Sequence, residues 1–472
     1  MKSLLVATLA LVPLTAVQET PGPAPEVEAY RQTVRDILSE ALVRGEAYAK
    51  LSELVEVAPH RLSGSPGAAA AVEWARQAML EDGLENVRLE PCMVTHWERG
   101  ETERLRVVAP PELAGLELPI LALGGSIATP EHGLIAEVVE VQDFDELKEL
   151  GEGAKGKIVF FNRPMDATLL STFPAYGGAV GQRVNGAAEA ARVGGVAALV
   201  RSMTTRLDDF PHTGAMRYVD GVKKVPTAAV STRGAELIAG LLEKGETVKL
   251  QLELDCKNFP PAPSFNVIGE LVGREKPEEI VVLGGHLDSW DVGQGAHDDG
   301  GPCCQTIEAV RLLKKLGLRP RRTLRVIMFM NEENGLGGAK AYYADHKDEM
   351  PNHVFAVESD SGAFTPRGFQ SNANPEAMKV LRDIAMLFEG TGGERVVHGG
   401  GGADVSPMKA SGVIVGSYLP DSQRYFDLHH SERDTIDQVS PREIELGAGL
   451  IASLVYVIAD LEERLPHNPV PE

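Results

Sequence analysis

The chain has 472 residues, with 46 basic against 68 acidic residues for a formal net charge of −22, and four cysteines. That length has room for two or three domains, and so acidic a balance disfavours nucleic acid and anionic membrane surfaces as partners. Four cysteines do not make a disulfide scaffold; Cys92 with Cys256 is the one pair to consider.

Reading along the chain, "MKSLLVATLALVPLTAVQE" sets one lysine before an apolar run from Leu4 to Leu14 and then small residues. This is the layout of a secretory signal peptide. It is taken as residues 1–18, with cleavage expected near Ala16 to Gln18, and it implies a secreted or periplasmic protein. No other stretch approaches the roughly 20 continuous apolar residues that span a bilayer, so no membrane anchor is expected. After a Pro-rich spacer, residues 27–58 read as helix and "SGSPGAAAAVEWARQAMLEDG" as an Ala-rich helix closed by Gly83. "NVRLEPCMV" and "RLRVVAP" read as strands within an N-terminal part, 19–114. From 115 to 258 the texture changes to short strands ("IAEVVEV", "GKIVFFN", "VAALVRS", "TAAVST", "VKLQLEL") between Gly-rich turns, with helical patterns at "NGAAEAARVG" and "GAELIAGLLEKG". None of these carries a cluster of ligand-type residues. The region reads as an inserted α+β domain.

The remainder, 259–472, has another rhythm. "FNVIGELVGREKPEEIVVLGGH" predicts two strands around a polar turn, and "RRTLRVIMFMNEE", "HVFAVESD" and "SGVIVGSYL" predict three more, with helices between several of them. The alternation implies an α/β fold whose mixed, mostly parallel sheet has helices on both faces. Cys303 and Cys304 open a helical pattern with Ile307, Val310 and Leu313 that ends near Gly317, which favours core packing over thiolate ligation. Ser440, Pro441 and Glu443 predict a capping box on the last helix.

Several chemistry-bearing residues fall just beyond predicted strands: His286 and Asp288 after Ile280 to Leu283, Glu332 and Glu333 after Leu324 to Met330, Asp360 after Val354 to Val357, and His430 beyond Val413 to Val415. In an open α/β sheet the carboxyl edge is where ligands bind. Imidazoles and carboxylates without thiolates suit zinc, and also manganese or cobalt. There are more carboxylates than one tetrahedral ion needs, and paired ions sharing a ligand are a recurrent hydrolytic device.

The ordered motifs "GGHLDS", "GAHDDGG", "NEEN", "ESDSG" and "HHSERDT", with "RLSGSPG" near the N-terminus, closely resemble the co-catalytic-zinc aminopeptidase and glutamate carboxypeptidase family, in its carboxypeptidase Q branch. The resemblance covers nearly the whole chain after the signal peptide. It implies the zinc-exopeptidase fold, with 115–258 as a protease-associated domain, and two zinc ions per chain. Asp298 would bridge the ions, His286 and Asp360 would hold one, and Glu333 and His430 the other. Three carboxylates against two divalent ions leave one positive charge, which a bridging hydroxide would neutralise, and bound zinc brings water into reach of deprotonation near neutral pH. Glu332 matches the general base, and Asp288 a residue that hydrogen-bonds His286 and fixes its ring. Asp299 matches the second residue of a cis Asp–Asp peptide. His297 and Asp291 match no ligand position and are set aside as solvated or supporting residues. His430 is preferred to its neighbour His429, because the family's ligand directly precedes a small hydroxyl residue. Asn331 departs from the small residue usual before the Glu pair. "HGGGGADVSP" resembles a substrate-side loop with Asp404 at its acidic position; its glycines, Gly399 to Gly402, fit a binding loop or a plain turn.

The expected activity is that of a secreted dizinc exopeptidase on dipeptides or short peptides. The alternatives are an aminopeptidase on longer peptides, a non-catalytic binding homologue on the same scaffold, and a glutaminyl-cyclase-like acyltransferase, the last two disfavoured by the full ligand set. The resemblance also allows a homodimer. The sequence locates neither an acidic anchor for a substrate ammonium nor a basic one for a carboxylate.

Overall fold

Two eight-stranded sheets organise residues 22–470, the part of the chain that the computed structural model describes; the expected signal peptide, 1–18, lies outside it. In space the larger sheet runs Glu85–Val94, Ala262–Leu271, Arg322–Phe329, Lys276–His286, His353–Glu358, Ile414–Pro420, Pro366–Ser371 and Val396–His398. The four middle strands are mutually parallel, while pairings that involve Glu85–Val94, Ala262–Leu271 and Pro366–Ser371 with the strand before them are antiparallel. The fold is therefore the mixed, mostly parallel α/β sheet expected. Every residue of Arg322–Phe329 is buried, as happens to a central strand covered on both faces.

Helices cover both faces. On one, Arg31–Arg44, Ala47–Val57, Pro66–Glu81, Gly301–Lys315, Pro375–Ala385 and Pro441–Asp460 share a core with Leu283, Val326 and Val357. On the other, Ala339, Tyr342 and Met408 pack on Val282, Ile327 and Ala356. The helix expected over 27–58 is interrupted after Glu28 and again at Gly45, whose backbone is extended and where a Cβ would overlap the Glu445 carboxylate. Ser440 caps the last helix through Glu443 N–H at 3.4 Å. Only this half of the capping box forms, since the Glu443 carboxylate goes instead to Thr365 and Arg424.

The second sheet runs Glu117–Leu118, Glu103–Ala109, Lys249–Leu254, Leu134–Val141, Ile158–Phe161, Ala197–Arg201, Thr227–Val230 and Ile120–Ala122. Its earliest strand, Glu103–Ala109, lies ahead of residue 115, where the texture of the sequence changes. Leu62 and Trp290 enter the core on one of its faces, and Phe364, Tyr425, Phe426 and Leu428 the core on the other. All four cysteines are free and buried. Cys92 and Cys256 do not pair, because they belong to the cores of different sheets; Cys303 and Cys304 pack in the helix core as expected. Among the described residues no helix is long and apolar enough to cross a membrane.

Candidate metal centre

The site lies at the carboxyl edge of the parallel strands, where each of the five expected ligands arrives from a different strand end or from the loop between them. His286 is the last residue of its strand. Its Nδ1–H donates to the Asp288 carbonyl at 2.9 Å, and because a carbonyl only accepts, Nε2 is left as the bare donor atom. That Nε2 lies 3.3 Å from Asp298 Oδ1 and 3.5 Å from Asp360 Oδ1. Across the site, His430 Nε2 lies 3.2 Å from Asp298 Oδ2 and 3.0 Å from Glu333 Oε2. Asp298 thus turns one oxygen to each imidazole–carboxylate pair.

These approaches fit cations better than hydrogen bonds. Asp298 Oδ2 and Glu333 Oε1 are buried without any hydrogen-bond donor, although a buried carboxylate must be paired or must bind a metal. Ligand atoms 2.0–2.2 Å from a tetrahedral ion lie roughly 3.3–3.6 Å from one another; the two separations at His286 fall in that range and the two at His430, 3.2 and 3.0 Å, just below it. Three groupings of donor atoms fall close enough to hold an ion: His286, Asp298 and Glu333; His286, Asp299 and Asp360; and Asp298, His429 and His430.

A hydrogen-bonded frame holds these side chains in place. Asp299, joined to Asp298 by a cis peptide, accepts the His286 N–H through Oδ2 at 2.9 Å. Asp434 accepts the N–H groups of His297 and Asp298 at 2.7 and 3.0 Å. Asp288 works differently from expectation. The ring of His286 bonds its backbone carbonyl, while its carboxylate accepts from Asn331 N–H at 2.7 Å, Glu332 N–H at 3.1 Å and Ser63 Oγ at 2.9 Å. The carboxylate therefore fixes the chain that carries the Glu pair. Asn331 sits there at φ 75°, a left-handed conformation that Asn tolerates better than most residues. Its side-chain oxygen accepts from Thr95 and Gly337. Burial pushes the Glu332 carboxyl up, opposed by His286 and reinforced by Asp360, Glu333 and Asp288.

The two residues set aside prove structural. His297 is buried rather than solvated: its ring stacks on Phe364 with centroids 3.9 Å apart, accepts the Ala363 N–H and donates to Gln438, and burial lowers its pKa to about 4. Asp291 makes a two-pronged pair with Arg99, at 2.9 and 2.6 Å. His429 stacks on His430 and brings Nε2 to 3.7 Å from Asp298 Oδ2, leaving Nδ1 buried without a partner. In the glycine run, Gly401 has φ 74° and a side chain on Gly402 would overlap Glu358, so packing requires both. Below it Asp404, 1% exposed, has no hydrogen-bond partner on either oxygen, and burial together with Glu358 pushes its carboxyl up.

Three supports had no role assigned from the sequence. Arg61, fully buried, donates to the carbonyls of Ala58, Leu287, Gln294 and Gly295 and so pins the loop between His286 and Asp298. Thr213 donates its N–H to the His430 carbonyl at 2.9 Å, and its own carbonyl faces His430 Nδ1 at 3.3 Å. His212 Nδ1 donates to the His429 carbonyl at 2.6 Å. "RLSGSPG" drew attention to Arg61 without indicating its work; the other two lie in a region with no ligand cluster and act on backbone or ring atoms of the histidine pair.

The model of peptidase family M28 matches residues 266–455. Carboxypeptidase Q of Bos taurus is 39% identical over 446 residues, covering 94% of this chain and 92% of that protein. The chain belongs to peptidase family M28. Among solved structures, a peptidase M28 precursor from Shewanella amazonensis SB2B is 32% identical with a TM-score of 0.89, covering 94% of this chain and all of that one. An aminopeptidase from Aneurinibacillus sp. strain AM-1, 20% identical with a TM-score of 0.64 and covering 93% and 98%, shares the fold. The chemistry of this M28 site is thus peptide hydrolysis.

Proposed function

We propose that the protein is an exported dizinc exopeptidase of dipeptides or short peptides, with the unit on the second sheet as an inserted protease-associated domain. In this reading His286 and Asp360 hold one zinc, Glu333 and His430 the other, and Asp298 bridges them. The observation that carries it is Asp298, whose two oxygens face separate imidazole–carboxylate pairs at 3.3 and 3.2 Å. Similarity to carboxypeptidase Q over 94% of the chain supports exopeptidase action, and the apolar run Leu4 to Leu14 behind a lysine supports export.

When bound, the two ions supply an acidic water and an electron-withdrawing site for the scissile carbonyl. Glu332 takes the proton of the attacking water and delivers it to the leaving nitrogen, the task of a general base that turns acid. Its raised affinity for a proton in the buried site suits that return. Asp288 keeps Glu332 over the reacting atoms by holding the backbone N–H groups of residues 331 and 332.

The test is Glu332→Gln with metal analysis. The variant is expected to lose at least 100-fold in kcat while retaining two zinc ions per chain. Full activity would remove Glu332 from the mechanism, and a single ion in the wild type would remove the bridging role of Asp298.

A further inference from the structure

The two halves of the candidate centre rest on different parts of the chain. His286 is set by its own loop and the helix that follows: its Nδ1–H goes to the Asp288 carbonyl and its N–H to Asp299, and its carbonyl accepts from Cys303 Sγ at 3.0 Å. Asp360 stands just beyond strand His353–Glu358 of the larger sheet, and Asp298 has its N–H held by Asp434. Among the described residues, no hydrogen bond ties these three to the second sheet.

His430 is the reverse. Its φ of 61° is left-handed, an uncommon conformation outside glycine that persists only where the surroundings hold it. The holders are two consecutive residues of the loop that joins strands Ala197–Arg201 and Thr227–Val230 of the second sheet. His212 donates Nδ1–H to the carbonyl of residue 429 at 2.6 Å. Thr213 donates its N–H to the His430 carbonyl at 2.9 Å, and its own carbonyl accepts from His430 Nδ1–H at 3.3 Å. An acceptor at that place keeps the proton on Nδ1 and leaves Nε2 bare for a metal. Both holders are themselves tied to the second sheet, His212 N–H to Ser202 Oγ at 2.9 Å and the Thr213 hydroxyl to the Ala122 carbonyl at 2.7 Å. The turn that leads into His430 is seated there too, since Tyr425, Phe426 and Leu428 lie in one core of that sheet. In the other core lies Trp290, its ring 5.6 Å from that of His430 and resting on Gly124, where a Cβ would overlap it.

We propose that the unit on the second sheet governs how many ions the protein holds. Seated, it completes the Glu333–His430 half and two ions bind; with its grip on residues 429 and 430 loosened, one ion remains, at His286, Asp360 and Asp298. This rests on the dizinc reading above and deepens it by giving that unit a task in assembling the centre. His212 and Thr213 are then positioning residues for one ion alone.

The zinc-loaded full chain is equilibrated against buffers of stepped free zinc, and the bound ions are counted by metal analysis. The wild type is expected to hold two. His212→Leu removes the donor to residue 429 from a ring whose Nε2 is buried without a partner. It is expected to weaken one ion by about 10- to 100-fold, as does loss of a group that orients a metal-bound imidazole, and to leave the other unchanged. His212→Asn, whose amide can donate in place of Nδ1–H, should recover part of that affinity, and Thr213→Gly, which frees the backbone of the clasp, should weaken the same ion. His430→Ala identifies that ion: this variant should hold one, and adding His212→Leu to it should leave the affinity of the remaining ion unchanged. Equal weakening of both ions in His212→Leu, or further weakening in the double variant, would mean general loosening and overturn the proposal. Wild-type affinity for two ions in both His212→Leu and Thr213→Gly would overturn it while the dizinc reading stands; a single ion in the wild type would remove both.

Discussion

At the scale of single residues, the centre shows how much of an active site consists of groups that never touch substrate. The Asp288 carboxylate serves the 331–332 backbone and Ser63, so its loss should displace Glu332 and leave the candidate metal donors in place. Asp288→Ala is expected to lower kcat by about 10- to 100-fold with zinc content nearly unchanged, and Asp288→Asn, which keeps an acceptor, to lose less; kinetics beside metal analysis checks both. Equal loss of zinc and activity would mean that its main service is to His286. The proposed ligand residues stood out in the sequence because most of them follow an apolar strand and all belong to short motifs. Residues whose work is done on carbonyls and N–H groups, such as His212 and Thr213, leave no such trace, since any number of buried histidines and threonines look the same in a sequence.

At the scale of elements, strand ends and loops are set by a few buried polar groups. Arg61 alone gathers three carbonyls of the loop that leads from His286 to Asp298, those of Leu287, Gln294 and Gly295, and ties them to the Ala58 carbonyl. Unsatisfied buried acceptors cost about 1–3 kcal/mol each, so Arg61→Met is expected to lower the melting temperature by several degrees and to weaken zinc affinity, read by thermal scanning and a chelator competition. Unchanged values for both would show that the loop holds itself. His353, at the start of the strand that ends near Asp360, donates Nδ1–H to the Glu349 carbonyl and accepts from the Tyr342 hydroxyl at 2.8 Å. Burial lowers its pKa to about 4, below the ordinary value near 6.5. The folded chain therefore binds a proton less readily than the unfolded one, and the contribution of this histidine is complete above about pH 6.5 and lost as pH falls towards 4. His353→Gln should show a shallower fall in melting temperature between pH 6.5 and 4 than the wild type; an identical slope would acquit His353. The helix and strand order was legible from periodicity, whereas the break at Gly45 and the half-formed capping box were not, because each depends on a partner, Glu445 or Thr365, far away in the chain.

At the scale of the whole molecule, side chains from the metal-site half enter both cores of the second sheet, and an ion-pair knot ties the two together. Arg99, beside the second sheet, holds Asp291 of the metal loop together with Glu103, the Ala122 carbonyl and Thr213. Breaking a buried pair costs about 3–5 kcal/mol, so Arg99→Met is expected to loosen the contact, raising protease sensitivity in the second sheet and weakening zinc binding together; a change in one without the other would mean that the units are independent. Removing zinc from the wild type should likewise lower its melting temperature by an amount that depends on free metal. The change of texture at 115 marks where the sequence alters, but Glu103–Ala109 already belongs to the second sheet, and only strand pairing reveals that. The clasp of Thr213 on His430 has a consequence for anyone who would exchange parts between relatives. A seam cut at the chain crossings would separate His430 from the backbone that orients it, so a working chimera has to inherit residues 213 and 430 from one parent, and the pair at 99 and 291 likewise.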